Sequence, residues 1–127
     1  MSKGKIKLVL FSVGAVGYGL LEILWRGYTH WSMLTAGGIC FMFFSTLCEK
    51  FKNTGLIIKA IAGGLFITTI ELIFGIIFNI LLKKNVWDYS KLPLNVGGQI
   101  CALYSAIWVV LSIIFIPFAG FVTKKLK

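Results

Sequence analysis

The chain has 127 residues, 58% of them hydrophobic and only 13% charged, with a mean hydropathy of +0.92. A soluble domain of this length carries far more charge, so that class is excluded. The net charge of +9 gathers at the ends of apolar stretches, as topology signals and contacts with anionic lipid do, which leaves no role for nucleic acid.

Four apolar stretches follow one another, at about Ile6–Leu24, Met33–Phe51, Leu56–Leu82 and Leu94–Phe118. A spanning helix needs roughly 20 residues. The sequence therefore predicts an all-α polytopic membrane protein, residues 1–127 forming one domain of four transmembrane helices. No room is expected for a soluble nucleotide-binding module.

Before the first stretch stand Lys3, Lys5 and Lys7, as in a signal peptide. The apolar run exceeds the roughly 7–15 residues of a signal h-region, so a retained helix is expected. Gly14, Tyr18, Glu22 and Arg26 step by four along one face of it. Glu22 and Arg26 stand in the order and spacing that favour an ion pair. A short polar connection with His30, Trp31 and Ser32 leads into the second stretch, which opens with Gly37-Gly38-Ile39-Cys40.

On the third stretch Gly64, Thr68, Glu71, Gly75 and Asn79 form one small and polar stripe among Ile, Leu and Phe. Glu71 lies about 18 Å beyond Lys59 along the axis, at or just past the midplane. Its own stripe holds no cation, so Asn79, Gln99, Arg26 and His30 are the candidate partners. The connection that follows carries Trp87-Asp88-Tyr89-Ser90. The fourth stretch carries Asn95 and Gly97-Gly98-Gln99-Ile100-Cys101, a stripe of Cys101, Ser105, Trp108 and Ser112, and a packing ridge of Gly98, Ala102 and Ala106.

The glutamate, the tryptophan and serine, and a Gly-Gly pair followed closely by a cysteine thus recur in order, with Cys40 and Cys101 expected at matching places just inside a helix. Two helical hairpins related by a rotation about the membrane normal account for this internal repeat, with an insertion around Lys83–Lys91. Lys3, Lys5, Lys7, Lys50, Lys52, Lys59, Lys124, Lys125 and Lys127 then share one side, against Arg26, Lys83, Lys84 and Lys91 on the other. The positive-inside rule places both termini in the cytoplasm, in a bacterial plasma membrane. Tyr28, Trp31, Trp87 and Tyr89 are expected as an aromatic belt at the outer interface.

A carboxylate within a bilayer is costly and is usually kept for a ligand, an ion or a proton path. Glu22 and Glu71, at corresponding places of the repeat, therefore suggest one shared site. The cysteines show no CxxC pair, no two residues have metal-ligand spacing, and no phosphate loop, nucleophile elbow or cofactor fingerprint occurs. No catalytic residue, metal or cofactor is assigned.

Two blocks of residues carry a family resemblance: Glu22 to Arg26-Gly27 with Thr29-His30-Trp31-Ser32-Met33 and Gly37-Gly38, then Glu71, Gly75, Asn79, Trp87-Asp88-Tyr89-Ser90, Asn95, Gly98-Gln99-Ile100-Cys101, Ser105 and Trp108. Over roughly Gly17 to Pro117 the chain resembles the CmpB-like "putative ABC-transporter type IV" family of membrane proteins. The resemblance implies an integral membrane protein and an ABC-transporter permease role, with no substrate or reaction attached.

The reading that follows is a small transporter or transporter subunit with a polar intramembrane site near the outer side, serving a small solute, ion or proton. Glu22 and Glu71 would hold charge or protons, and Arg26 would pair them or a ligand anion. Asn79, Asn95 and Gln99 would orient the ligand, and His30, Trp31, Trp87, Asp88 and Tyr89 would complete the site from the connections. Four helices enclose little volume, so a homodimer or a transporter partner subunit is expected. The competing readings are a non-transporting module that binds a lipid, small ligand or partner protein, and an intramembrane lipid enzyme.

Overall fold

A computed structural model describes residues 2–84 and 86–127. Four long helices run in chain order: α1 (Lys3–Arg26), α2 (Trp31–Lys50), α3 (Leu56–Phe74) and α4 (Ala102–Leu126). A π-helical segment, Gly75–Leu81, prolongs α3. All four are long and apolar enough to cross a membrane.

Each helix starts and stops where its local chemistry directs. The Ser2 hydroxyl caps α1 by accepting the Lys5 N–H at 3.3 Å, and Gly27 ends it in the left-handed region at φ 82°. The His30 ring caps α2 through Nδ1, which accepts the Ser32 N–H at 3.2 Å. In the π-helical segment the Leu82 N–H reaches back five residues to the Ile77 carbonyl. The wider turn rotates less per residue, which keeps Gly75 and Asn79 on the face of Glu71.

α1 packs antiparallel on α2, and α3 on α4, so the chain is two hairpins joined chiefly where α2 meets α4. Both chain ends and the Phe51–Gly55 connection share one end of the bundle, the terminal end, with nine of the lysines. There Ser45 and Thr123 are hydrogen-bonded at 2.6 Å between α2 and α4, and Lys127 pairs with Glu49. The apolar core beside them is built from Leu10, Phe41, Phe44, Leu47, Ile116 and Ala119. The opposite end, the loop end, carries Gly27–His30 and the long connection between the second hairpin's helices.

Small residues set the close approaches within each hairpin. A Cβ on Gly14 would strike Phe41 and the Gly37 carbonyl; one on Gly64 would strike Val109, its backbone included. The apolar side chains of Leu8, Val16, Leu24, Ile57, Leu65, Val110, Ile114 and Phe121 remain exposed on the outer surface. In a membrane protein that surface is the lipid face.

Three expectations change. α4 starts at Ala102 rather than near Leu94, because Leu94, Gly97 and Gly98 take positive φ (56°, 59° and 74°) and fold Asn95–Val96 and Ile100–Cys101 into a two-residue antiparallel ladder. The Gly98, Ala102, Ala106 ridge is therefore not a helix ridge, and Ala102 and Ala106 are exposed. The two Gly-Gly pairs and the two cysteines also part ways: Gly37, Gly38 and Cys40 are inside α2, whereas Gly97 and Gly98 turn a loop and Cys101 caps α4.

Candidate functional site

Glu22 is buried on α1, one turn from Tyr18 and Arg26. Its carboxylate accepts the Tyr18 hydroxyl at Oε1 and the Arg26 Nε–H at Oε2, both at 2.6 Å. Arg26 also donates from Nη1 to the Val86 carbonyl at 2.8 Å, tying α1 to the second connection. Its guanidinium lies 4.5 Å from the centre of the Tyr28 ring.

Glu71 is buried on α3. Its Oε1 accepts the Trp108 indole N–H at 2.8 Å, and its Oε2 accepts the Tyr89 hydroxyl at 2.8 Å. None of the four partners expected from sequence contacts it. The reason is positional: Trp108 sits opposite on α4, and the second connection folds Tyr89 back into the bundle, reaching Glu71 before any cation does. One turn toward the terminal end, Thr68 donates to Ser105 at 2.9 Å, extending the same α3–α4 seam.

The two glutamates are linked through an aromatic pair. Tyr18, which binds Glu22, has its ring 6.2 Å from that of Trp108, which binds Glu71. Beside this pair lies a cavity of about 90 Å³, lined by Tyr18, Glu22, Trp25, Arg26, Met33, Trp87, Tyr89, Tyr104 and Trp108. An open groove of about 500 Å³ at the loop end shares Arg26, Trp87, Tyr89 and Tyr104 with it and adds Asp88 and Lys91. Tyr89 and Tyr104 stack there, 4.8 Å between centroids and 8° from parallel.

The remaining sequence candidates hold the connection in shape. The Asn79 carbonyl accepts the Val86 N–H at 2.6 Å, and its amide donates to Gln99 Oε1 at 2.8 Å. Gln99 packs against Gly75, where a Cβ would meet its side chain, and its backbone carbonyl accepts the Trp87 indole N–H at 2.9 Å. Asn95 donates to the Leu92 carbonyl and accepts the Gly98 N–H. Asp88 is exposed, and the Ser90 N–H that it accepts at 2.8 Å holds its carboxyl below the usual carboxylate range.

His30 serves as the α2 cap, and Trp31 is 61% exposed. Trp25 (80% exposed) and Tyr28 join Trp31 as the outward aromatic ring of this end. Trp87 and Tyr89, expected in that belt, turn inward because their polar atoms have partners inside. So the structure gathers Glu22, Arg26, Trp87 and Tyr89 around the cavity, with Glu71 bonded to two of its walls. It places Asn79, Asn95, Gln99, His30 and Trp31 elsewhere.

Sequence reasoning left Tyr18, Trp25, Met33, Tyr104 and Trp108 out of the site. Tyr18 and Trp108 did lie on the inward stripes, one step from a glutamate face. Nothing in the pattern around Tyr104 distinguishes it, since its role follows from stacking on a residue far along the connection.

Burial, and then the charge of the Glu71 carboxylate, push the Tyr89 phenol above its ordinary pKa. It therefore stays a hydrogen-bond donor through the neutral and moderately alkaline range.

Fold and composition together define an integral membrane protein of four spans, two helical hairpins in contact with the lipid bilayer. Within that class, the chain belongs to the family described as "Putative ABC-transporter type IV", whose pattern matches residues 8–126. No curated protein and no solved structure matches the chain.

Proposed function

We propose that the chain is a transporter subunit whose solute site is the loop-end cavity between Glu22 and Glu71. One observation carries this reading. Two buried carboxylates on different hairpins converge, through Tyr18 and Trp108, on a single aromatic-walled cavity that adjoins an open groove. A network needed only to fix helix register has no use for such a cavity.

Arg26 neutralises Glu22 and anchors α1 to the second connection, while Glu71 carries the charge or proton that the solute exchanges with. The groove is the path from the loop-end solution. The lysine-rich terminal end supports a cytoplasmic placement of both termini. Alkaline phosphatase fused after Lys127 is then inactive in a bacterial host; an active fusion contradicts that orientation. A second copy of the chain, or an ATP-hydrolysing partner, completes the transport unit.

Flux into proteoliposomes tests the reading, using radiolabelled amines, amino acids and sugars, with wild type against Glu71→Gln. The expected result is uptake of at least one solute by wild type and its loss in the variant. Binding to the purified protein without flux of any solute supports the non-transporting module instead.

A further inference from the structure

The cavity's chemistry narrows what it can hold. At about 90 Å³ it has the room of roughly three waters, at about 30 Å³ each. That suits a group the size of an ammonium carrying a few methyls.

Most of its donors are already engaged. The hydroxyls of Tyr18 and Tyr89 and the indole N–H of Trp108 point at the two carboxylates, and the Trp87 N–H points at the Gln99 carbonyl. What these walls offer a ligand is chiefly aromatic faces. The Glu22 carboxylate is among them, and the Glu71 carboxylate lies one hydrogen bond behind Tyr89 and Trp108. Rings and carboxylates both attract a cation. An anion would find few free donors among the described residues: the Tyr104 hydroxyl, and Arg26 Nη2, which has no partner and is buried.

The charge points the same way. Glu22 is ion-paired with Arg26, whereas Glu71 has only neutral donors as partners and no salt bridge among the described residues. With both carboxylates ionised the site holds one uncompensated negative charge. In the outer groove Asp88 and Lys91 offset one another and Arg26 is already paired with Glu22, so selection falls to the inner cavity.

We propose that the cavity between Glu22 and Glu71 binds a small organic cation, an ammonium group with methyl or short alkyl substituents. Glu71 is its counter-charge, and Tyr104, Trp25 and Trp108 are its aromatic walls. This rests on the reading of the cavity as a solute site and names the class of solute.

Three of the chain's four tryptophans line the cavity, so intrinsic fluorescence of the purified full chain reads its occupancy. Methylammonium and tetramethylammonium are titrated at constant ionic strength, beside the neutral tert-butanol and the anionic pivalate. The expected result is a saturable change with an ammonium ion alone. Affinity falls by about tenfold in Tyr104→Leu and stays near wild type in Tyr104→Phe, which keeps the ring. Glu71→Gln loses the response.

An equal response to tert-butanol or pivalate overturns the cation while leaving a solute site in place. No saturable response to either ammonium ion in wild type overturns it too. Ammonium binding that depends on Glu71, without methylammonium flux in proteoliposomes, upholds the cation and removes transport.

Discussion

At the scale of single residues, the membrane glutamates are satisfied in different ways, and the difference has consequences. Glu22 has a cation; Glu71 has a phenol and an indole. Arg26→Gln leaves the Glu22 carboxylate with one neutral partner and breaks the tie to Val86. It is expected to destabilise the protein by roughly 1–3 kcal/mol, a range held low because Arg26 is one-fifth exposed. Adding Glu22→Gln recovers part of that loss, since the uncompensated charge goes with it. Reversible unfolding in mixed detergent micelles measures both, and a double variant worse than the sum of the two single changes contradicts the pairing. Tyr89 makes a prediction in pH. Its folded pKa is raised, so its contribution is fully present below the unfolded tyrosine value of about 10 and fades as pH rises above it. In a wild type minus Tyr89→Phe absorbance titration, no phenolate step appears near about pH 10; a step there contradicts the buried bond to Glu71.

The elements show why some features were legible in the sequence and others were not. Hydropathy and length located four spans because bilayer thickness imposes a one-dimensional constraint on each. The inward stripes were legible because helical phase is nearly fixed by spacing. Gly64 meets Val109, Thr68 meets Ser105, Glu71 meets Trp108 and Gly75 meets Gln99, all along one face. The start of α4 was not legible from hydropathy, because residues 94–101 carry no charge and no proline, and their Gly97-Gly98 pair suits close helix packing as well as the turn that it makes. Nor was the fold-back of the second connection, which depends on Asn79, Gln99 and Trp87 meeting across the chain. Packing along the α3–α4 seam yields a paired prediction. Gly64→Ala drives a Cβ into the Val109 backbone and costs roughly 1–3 kcal/mol. Gly17→Ala, with open space around its Cβ, is neutral or stabilising by about 0.5–1 kcal/mol. Thermal unfolding in detergent ranks the two, and equal losses contradict the seam.

For the whole molecule, two hairpins meet mainly through α2 and α4, and at the loop end α1 is joined to the second hairpin by side chains. The Tyr18–Trp108 pair, the Arg26–Val86 bond and the inward Tyr89 are that bridge. A movement of one hairpin against the other would open or close the cavity between them, so the solute binding proposed above would be coupled to hairpin position. Membership of the family described as "Putative ABC-transporter type IV" accords with such an arrangement. Whether Glu22 and Glu71 serve one site is measured most directly by solute uptake in proteoliposomes holding wild type, Glu22→Gln, Glu71→Gln or the double variant. Each single change is expected to remove most of the uptake, and the double variant to be no worse than the more damaging single change, as for two residues acting as a unit. Losses that multiply independently, or wild-type uptake in Glu71→Gln, would contradict a shared site.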